Sequence, residues 1–541
     1  MSRAGCGESH GFRRIRLRAV ASLSLGSVAP VAMLNVTRRP PVRAAVASRT
    51  RALGAVLRRH WQLAVLVAAA AVLRLAALVA IYPGIWFSDS NGYIQTAATG
   101  TLLRLRVSGY SLLVAPFWHA GSAGALIIVQ HLIGLVIVVG LYALLVHRDV
   151  PRWLALLAVV PAALDAYLIV LEHAIMAETV FHAALFGAIA ALLWHDRPGL
   201  AAAAGAGLLL GYAGVVRSVA VPFVAVFVCY LLARRVSWRP LVAFGVCWAL
   251  VMGAYATLFD VQHGKFGFTR AGGAFLYARV APFADCSRLE GLPVNERLLC
   301  PDRRRATTTN GTLWGPDTPL RRLRSGDPRV HDFALRVIRD RPLTYARVVA
   351  AGVAHYFEPG HRIGPNDYSD APWRFPADPR RPARYPGYRG PIRPGRADRQ
   401  RATYPNQYVS AMVDSPRTHV RLSQALRTYQ RYAYTSGQVL ALCVLLVLAA
   451  LATRRGAWRL RLDAALLVAM TLTALFVAMA LSVFSYRYGL IAVVFLPAAA
   501  GLAGAALLHG RFGGPARAAS RGNWHSTSEQ ELDVAGATTA P

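Results

Sequence analysis

Residues 200–233 read LAAAAGAGLLLGYAGVVRSVAVPFVAVFVCYLLA, an apolar run of 34 residues broken by Arg217 and Ser218. A straight helix of that length would measure about 51 Å at roughly 1.5 Å per residue, against a hydrocarbon core of about 30 Å. One crossing cannot use so many residues. Two short spans that turn at Val216, Arg217 and Ser218 can. The turn also decides sidedness. It returns RRVSWRP (234–240) to the face that carries HRDVPRW (147–153) and HDRPG (195–199), as the positive bias of short cytoplasmic loops requires.

Outward from this run, the same arithmetic marks further spans at about 61–82, 124–146, 153–171 and 174–194 before it, and at 241–259, 437–451, 462–484 and 488–508 after it. The expected fold is an all-α polytopic membrane protein with about ten transmembrane helices and both termini cytoplasmic. Its expected parts are a basic disordered tail (1–60), a seven-span membrane domain (61–260) with a first outer loop (83–123), an extracytoplasmic mixed domain (261–436) between spans seven and eight, a three-span membrane domain (437–508) and a disordered tail (509–541). Ala19 to Leu34 is only mildly apolar and is broken by Gly26 and Pro30, so it is not expected to span. A signal-peptide reading and a later start at Met33 leave open whether residues 1–32 belong to the mature protein.

Composition agrees. Of 541 residues, 55% are hydrophobic and 16% charged, where soluble proteins carry about 25% charged, and the mean hydropathy is +0.38. A soluble multidomain enzyme, a disordered chain and a disulfide-rich secreted domain are excluded. The net charge of +34 would suggest nucleic acid in a soluble protein. Here the basic residues sit in short loops and tails, with no zinc spacing, RNA-binding signature or basic recognition helix, so no nucleic-acid partner is expected. Lys265 is the only lysine, an arginine bias of the kind a GC-rich bacterial genome produces.

Of six cysteines, Cys229, Cys247 and Cys443 fall in apolar spans as packing residues. Cys286 and Cys300 lie in the one long polar loop, in ADCSRLEGLPVNERLLCP (284–301). A disulfide there needs the oxidising side of the membrane, which is where the ten-span map puts the loop. That loop carries a charge of about +16, but long domains translocate largely regardless of charge. Within it, residues 332–357 read as helix, the second half an interfacial helix. Residues 358–408, rich in Pro, Arg and Tyr, read as irregular chain.

Ionisable residues in spans are costly, about 2.5 to 3.5 kcal/mol at the bilayer centre, and point to function. The ten-span map gathers most of them at the outer face. Asp89 follows the first span. Glu172, His173 and Glu178 lie at the turn of spans three and four, Arg217 at that of five and six, and Arg487 between Tyr486 and Tyr488 at that of nine and ten. Arg74 and Asp165, inside spans one and three, are expected to pair, and His131 and His173 read as polar packing residues. A transporter would more often hold such groups near the midplane with repeat symmetry. A site at the outer leaflet suits a reaction between a lipid-linked group in the bilayer and an acceptor outside it.

Arg74, SDSNGYIQTA (88–97) with Asp89 and Tyr93, SGYSLLVAPF (108–117), MAETVF (176–181), the arginine at 217 and SYRYGLIAVVFLP (485–497) together resemble the GT-C glycosyltransferases. The resemblance is to the bacterial enzymes that use polyprenyl-phosphate sugars, related to protein mannosyltransferases and lipid A aminoarabinose transferases. Many relatives carry an acidic pair in the first outer loop, whereas Asp89 is flanked by Ser88 and Ser90.

The resemblance implies an inverting transfer of a sugar from a polyprenyl-phosphate donor to an extracytoplasmic acceptor, in the plasma membrane. Asp89 is then the expected base, with Glu178 as a second catalytic carboxylate. Arg217, Arg487 and Tyr488 are expected to bind the donor phosphate, where the guanidinium fork suits phosphate oxygens. Tyr93, Glu172 and His173 are expected to contact substrate, and membrane lipids are the other expected partners. No cofactor is required; Asp89 with Glu178 is a candidate holder of a divalent cation such as Mg or Mn. The alternatives are a flippase or transporter of polyprenyl-linked sugars and a non-catalytic envelope scaffold.

Overall fold

The computed structural model describes residues 58–512 apart from 302–307, 316–317, 324–325, 361–362, 365, 381–387, 392–410, 413–414 and 454–456. The chain divides into two units, Met1–Arg59 and His60–Pro541, and every helix and strand named below belongs to the second. The expectations for the N-terminal tail and for the chain beyond residue 512 lie outside the described residues, as does much of the 358–408 stretch.

Among the described residues the protein is mostly helical, at 73%. The first helix, α1 (Trp61–Ala80), leads through two short strands, β1 (Ile81–Tyr82) and β2 (Ile85–Phe87), into α2 (Ser88–Thr99) and α3 (Ser111–His119). Next come α4 (Ala123–His147), α5 (Arg152–Leu164), α6 (Ala166–Glu172), α7 (Glu178–Leu193), α8 (Leu200–Val216), α9 (Phe223–Ala233) and α10 (Trp238–His263). A polar region holds α11 (Gly272–Val280), α12 (Thr309–Trp314), α13 (Pro328–Asp340), α14 (Pro342–His355), β3 (Tyr388–Pro391) and β4 (Arg417–Thr418). Last come α15 (Val420–Tyr432), α16 (Gly437–Ala452), α17 (Trp458–Leu481) and α18 (Tyr486–Phe512).

Among the described residues, five helices are long and apolar enough to cross a membrane: α1, α4, α10, α17 and α18. The number rises to seven if α5 with α6, bent by 54°, and α15 with α16, bent by 43°, each count as one span. The expected ten also counts α7, α8 and the stretch Ser218–Ala233 as spans. At 16 and 17 residues, α7 and α8 reach only about 24 to 26 Å. The expected third span is broken at Asp165. There the carboxylate turns back to accept hydrogen bonds from the backbone N–H groups of Tyr167 (2.9 Å) and Leu168 (3.3 Å), as a helix N-cap does.

The opening stretch breaks where its charge falls. α8 ends at Arg217, whose backbone is extended (φ −146°, ψ 118°), and a 3-10 turn at Ser218–Ala220 leads into α9. The two ends of the stretch meet again. Arg234, just past α9, donates Nη2 to the Asp196 carbonyl (2.7 Å), four residues before α8 begins. The run therefore goes out and comes back.

At this end, Asp463 of α17 is fully buried. Its carboxylate takes Arg148 Nε (3.0 Å), Arg234 Nη1 (3.2 Å) and the Tyr230 hydroxyl (2.8 Å). Asp196 takes Arg148 (3.0 Å) and Arg459 (3.2 Å). The three short basic loops (147–153, 195–199 and 234–240) thus share one end of the bundle with the start of α17, clasped by two carboxylates. Close packing of α8 on α10 follows from its small residues: a methyl group at Gly207 would collide with the Phe244 carbonyl.

The long polar region is tied to the start of the chain. β3 pairs antiparallel with β2, and β4 with β1. Within the region, α11 and α13 bury Tyr277, Val280, Phe333 and Val337 in a small separate core, and Cys286 and Cys300 form a disulfide beside it. α14 lies along α17, with the Tyr345 hydroxyl donating to the Ala480 carbonyl (2.9 Å).

One expected pair is corrected. Arg74 does not reach Asp165; it forks onto Glu172, with Nε to Oε2 at 2.7 Å and Nη2 to Oε1 at 2.8 Å, and donates Nη1 to the Ala163 carbonyl (2.9 Å). Asp165 is occupied in capping α6 and in accepting from the Thr435 N–H (2.7 Å). Capping needs Asp165 to point along the backbone, so the other acid on the helix-pair face becomes the partner of Arg74.

Candidate functional site

At the opposite end from Asp463, four chain segments deliver charged side chains to one place. Asp89 stands in the first turn of α2, where the helix dipole favours an acid. Its Oδ1 is ion-paired with Arg106 and its Oδ2 with Arg487 Nη1 at 3.1 Å. Glu178, the first residue of α7, pairs through Oε1 with Arg217 and with Arg487 Nε (3.3 Å). Arg487 therefore links a carboxylate at the start of α2 to one at the start of α7. It lies in the first turn of α18, 398 residues on from Asp89.

Aromatic rings enclose the guanidiniums. Arg487 lies 5.7 Å from the ring centre of Phe87 and 5.1 Å from those of Trp373 and Tyr488; Arg217 is 5.5 Å from Tyr488. Such stacking holds a guanidinium plane while leaving its N–H edge available. The most open members are Arg106 and Arg217, whose side chains are 28% and 19% exposed, against 3% for Glu178.

Three guanidiniums face two carboxylates, a net charge of +1 in a largely buried space. Burial alone would raise the Asp89 carboxyl, but Arg106 and Arg487 outweigh it and hold the group well below the usual carboxylate range. Asp89 therefore stays ionised throughout the neutral range. The stabilisation it provides is complete above the ordinary carboxylate range and is lost as pH falls from there through the lowered value. Tyr93, buried and edge-on to Tyr110 at 4.9 Å, has its hydroxyl pushed up to about 12, chiefly by burial, and remains protonated.

Asp89, Glu178, Arg217, Arg487 and Tyr488 are thus brought together. Glu172 and His173 are not. Glu172 is held by Arg74 and by His131 Nδ1 (3.1 Å), His131 Nε2 meets His173 Nδ1 (3.1 Å), and His173 Nε2 meets the Ile81 carbonyl (2.9 Å). This chain of polar groups, closed by the fork from Arg74, is a buried clasp between α1, α4 and α6. Gly134 makes room for it, since a Cβ there would strike the Glu172 carboxylate.

The sequence did not single out Arg106, Phe87 or Trp373. Arg106 sits in LLRLRVSGYS, where an arginine reads as loop charge. Its signal was position, within the outer segment that already contained Asp89. Trp373 comes from the irregular part of the long polar region, and nothing in its neighbours APWRFP marks it.

Among the described residues, no three His, Cys, Asp or Glu side chains are grouped so as to hold a metal ion. The two carboxylates of the cluster, Asp89 and Glu178, are each already paired with arginine.

No family model matches the chain, and no curated protein matches it. Among solved structures it is similar to the S. cerevisiae protein O-mannosyltransferase Pmt1–Pmt2 complex bound to the sugar donor, at 17% identity over 43% of this chain with a TM-score of 0.31. The match spans 37% of that chain, too little and too loosely superposed to carry an argument.

Proposed function

We propose that this chain is an integral-membrane glycosyltransferase of GT-C type, which moves a sugar from a polyprenyl-phosphate donor to an acceptor hydroxyl at the extracytoplasmic face. One observation carries the reading: Asp89, Glu178, Arg106, Arg217 and Arg487 meet in a single buried cluster, at the end of the bundle away from the Arg-rich short loops. The motif resemblance of residues 88–117, 176–181 and 485–497 supports it. By the positive-inside bias, the cluster end faces outward, in the plasma membrane of the expected ten-span arrangement.

The chemistry follows from charge. The donor is a phosphodiester with one negative charge; the departing polyprenyl phosphate gains another as the bond from the sugar C1 to the phosphate oxygen breaks. Arginines that bind phosphate hold the leaving group more strongly than the intact donor, which is how binding lowers a barrier. Arg106 and Arg217, the more open pair, would meet the phosphate, with Arg487 and Tyr488 behind them. The acceptor oxygen attacks C1 from the opposite side, so the anomeric configuration inverts. A lipid phosphate leaves as an anion without help from a general acid.

The donor set favours an anion over a divalent cation. Asp89 and Glu178 already face three guanidiniums, and a further positive ion would enter a site of net charge +1, so no step is assigned to Mg or Mn. Tyr93 lines the acceptor side in this reading. Glu172 and His173 stay within the clasp with Arg74 and His131 rather than touching substrate.

Reconstituted vesicles separate this reading from a flippase. With radiolabelled polyprenyl-phosphate sugars in the bilayer, a transferase produces free polyprenyl phosphate and a labelled acceptor or free sugar, with no net movement of donor between leaflets. Movement of donor between leaflets with no cleavage would support the flippase. Neither activity, with Asp89 and Glu178 both tolerating alanine in cells, would support an envelope scaffold.

A further inference from the structure

The two carboxylates of the cluster are not equivalent. Asp89 commits both oxygens to guanidiniums, Oδ1 to Arg106 and Oδ2 to Arg487. Glu178 offers only Oε1 to Arg217 and Arg487. Its Oε2 has no hydrogen-bond partner among the described residues, although the residue is 3% exposed. A buried oxygen left without a donor destabilises the fold, the more so when it is charged. In a native protein such a group calls for a missing donor.

We propose that the missing donor is the acceptor hydroxyl: Glu178 Oε2 takes its proton, and Asp89 is the positioning residue that holds Arg106 and Arg487 for the donor phosphate. This division of labour rests on the transferase reading above and reverses the expectation that Asp89 is the base. As the acceptor oxygen forms its bond to C1, its O–H bond breaks and the proton passes to Glu178 Oε2. The C1–O bond to phosphate breaks with its electron pair going to the phosphate. The proton is later released to water, and charge balances.

Chemistry favours the assignment twice. A base needs a free lone pair within reach of the proton, and among the four oxygens of these two carboxylates Glu178 Oε2 is the one without a partner. The two arginines that bracket Asp89 also make it the poorer proton acceptor. They do so while Asp89 competes with phosphate for the same N–H donors, so Asp89 is a placeholder for the anion.

The test uses the full chain in two assays. Glu178→Gln and Asp89→Asn are each expressed in a strain lacking the wild-type gene, and envelope glycans are compared by mass spectrometry with those the wild type restores. Each purified protein in nanodiscs is then titrated with polyprenyl phosphate. Glu178→Gln is expected to lower product formation about a thousandfold while binding polyprenyl phosphate at least as tightly as wild type. Asp89→Asn is expected to keep transfer within about a hundredfold and to bind polyprenyl phosphate about tenfold tighter, because a competing carboxylate charge is gone.

A thousandfold loss in Asp89→Asn with near-normal transfer in Glu178→Gln would overturn the assignment. Glu178→Asp guards against misfolding: it should bind the lipid normally and transfer slowly. If both Glu178 variants lose lipid binding along with transfer, Glu178 is only a counter-ion of the arginines and the assignment fails. A wild type that neither restores a glycan nor binds polyprenyl phosphate would retire the transferase reading itself, and this assignment with it.

Discussion

Replacing Arg487 with alanine is expected to reduce sugar transfer by about a thousandfold or more, roughly 4 kcal/mol of lost transition-state stabilisation. Of the three cluster arginines, it alone is paired with both carboxylates, Asp89 at 3.1 Å and Glu178 at 3.3 Å, and three aromatic rings hold its plane. Its removal leaves two buried acids with one arginine apiece and, in the proposed reaction, weakens the field that would receive the departing phosphate. Arg487→Lys keeps the charge but loses the planar fork and the stacking, so it should recover only part of the rate. Initial rates of polyprenyl phosphate release from labelled donor, in vesicles at saturating donor, measure this. An alanine variant with half the wild-type rate would place the donor phosphate elsewhere.

The second large effect is on stability. Arg74→Leu is expected to destabilise the protein by about 3 to 5 kcal/mol, the usual consequence of leaving a buried charge without its partner. Arg74 and Glu172 are 2% and 8% exposed at the side chain, and the fork between them joins α1 to α6. Among the described residues, only His131, at 3.1 Å, would remain to meet the carboxylate. The double change Arg74→Leu with Glu172→Gln should recover much of the loss, because the orphaned charge is gone. Thermal unfolding in nanodiscs, followed by tryptophan fluorescence, reads both. Equal destabilisation by the single and double changes would mean that the fork matters through packing and not through charge.

Much of the fold was legible because membrane crossing is a question of length and charge. A guanidinium in the middle of 34 apolar residues has to leave the hydrocarbon, and Arg217 does so by ending α8 and pairing with Glu178. The grouping of Asp89, Glu178, Arg217 and Arg487 was legible for the same reason, since each sits beside a turn. Pairing inside the membrane was not. Asp165 and Glu172 lie about two helical turns apart, and hydropathy gives no means of choosing between them as the partner of Arg74. The choice came from the backbone: the helix breaks at Asp165, and the break consumes that carboxylate as a cap.

Span counting met a similar limit. Helices of 16 and 17 residues such as α7 and α8 are apolar enough for a crossing but short for one, and composition cannot say whether the bilayer thins to meet them. Arg106 and Trp373 were out of reach for another reason. Their roles depend on contacts between loops, Arg106 with Asp89 and Trp373 with Phe87 and Arg487, and loop paths carry no periodic signal.

The convergence of distant segments on one end of the bundle is tested most directly by sidedness labelling. With Cys6, Cys229, Cys247 and Cys443 replaced by serine, single cysteines are placed at Leu105, Ser218 and His195, all exposed. A membrane-impermeant maleimide applied to intact cells should modify the cysteines at 105 and 218, beside Arg106 and Arg217, and should reach that at 195 only after permeabilisation. Modification of 218 from the same side as 195, with 105 on the other, would contradict a shared outward-facing site.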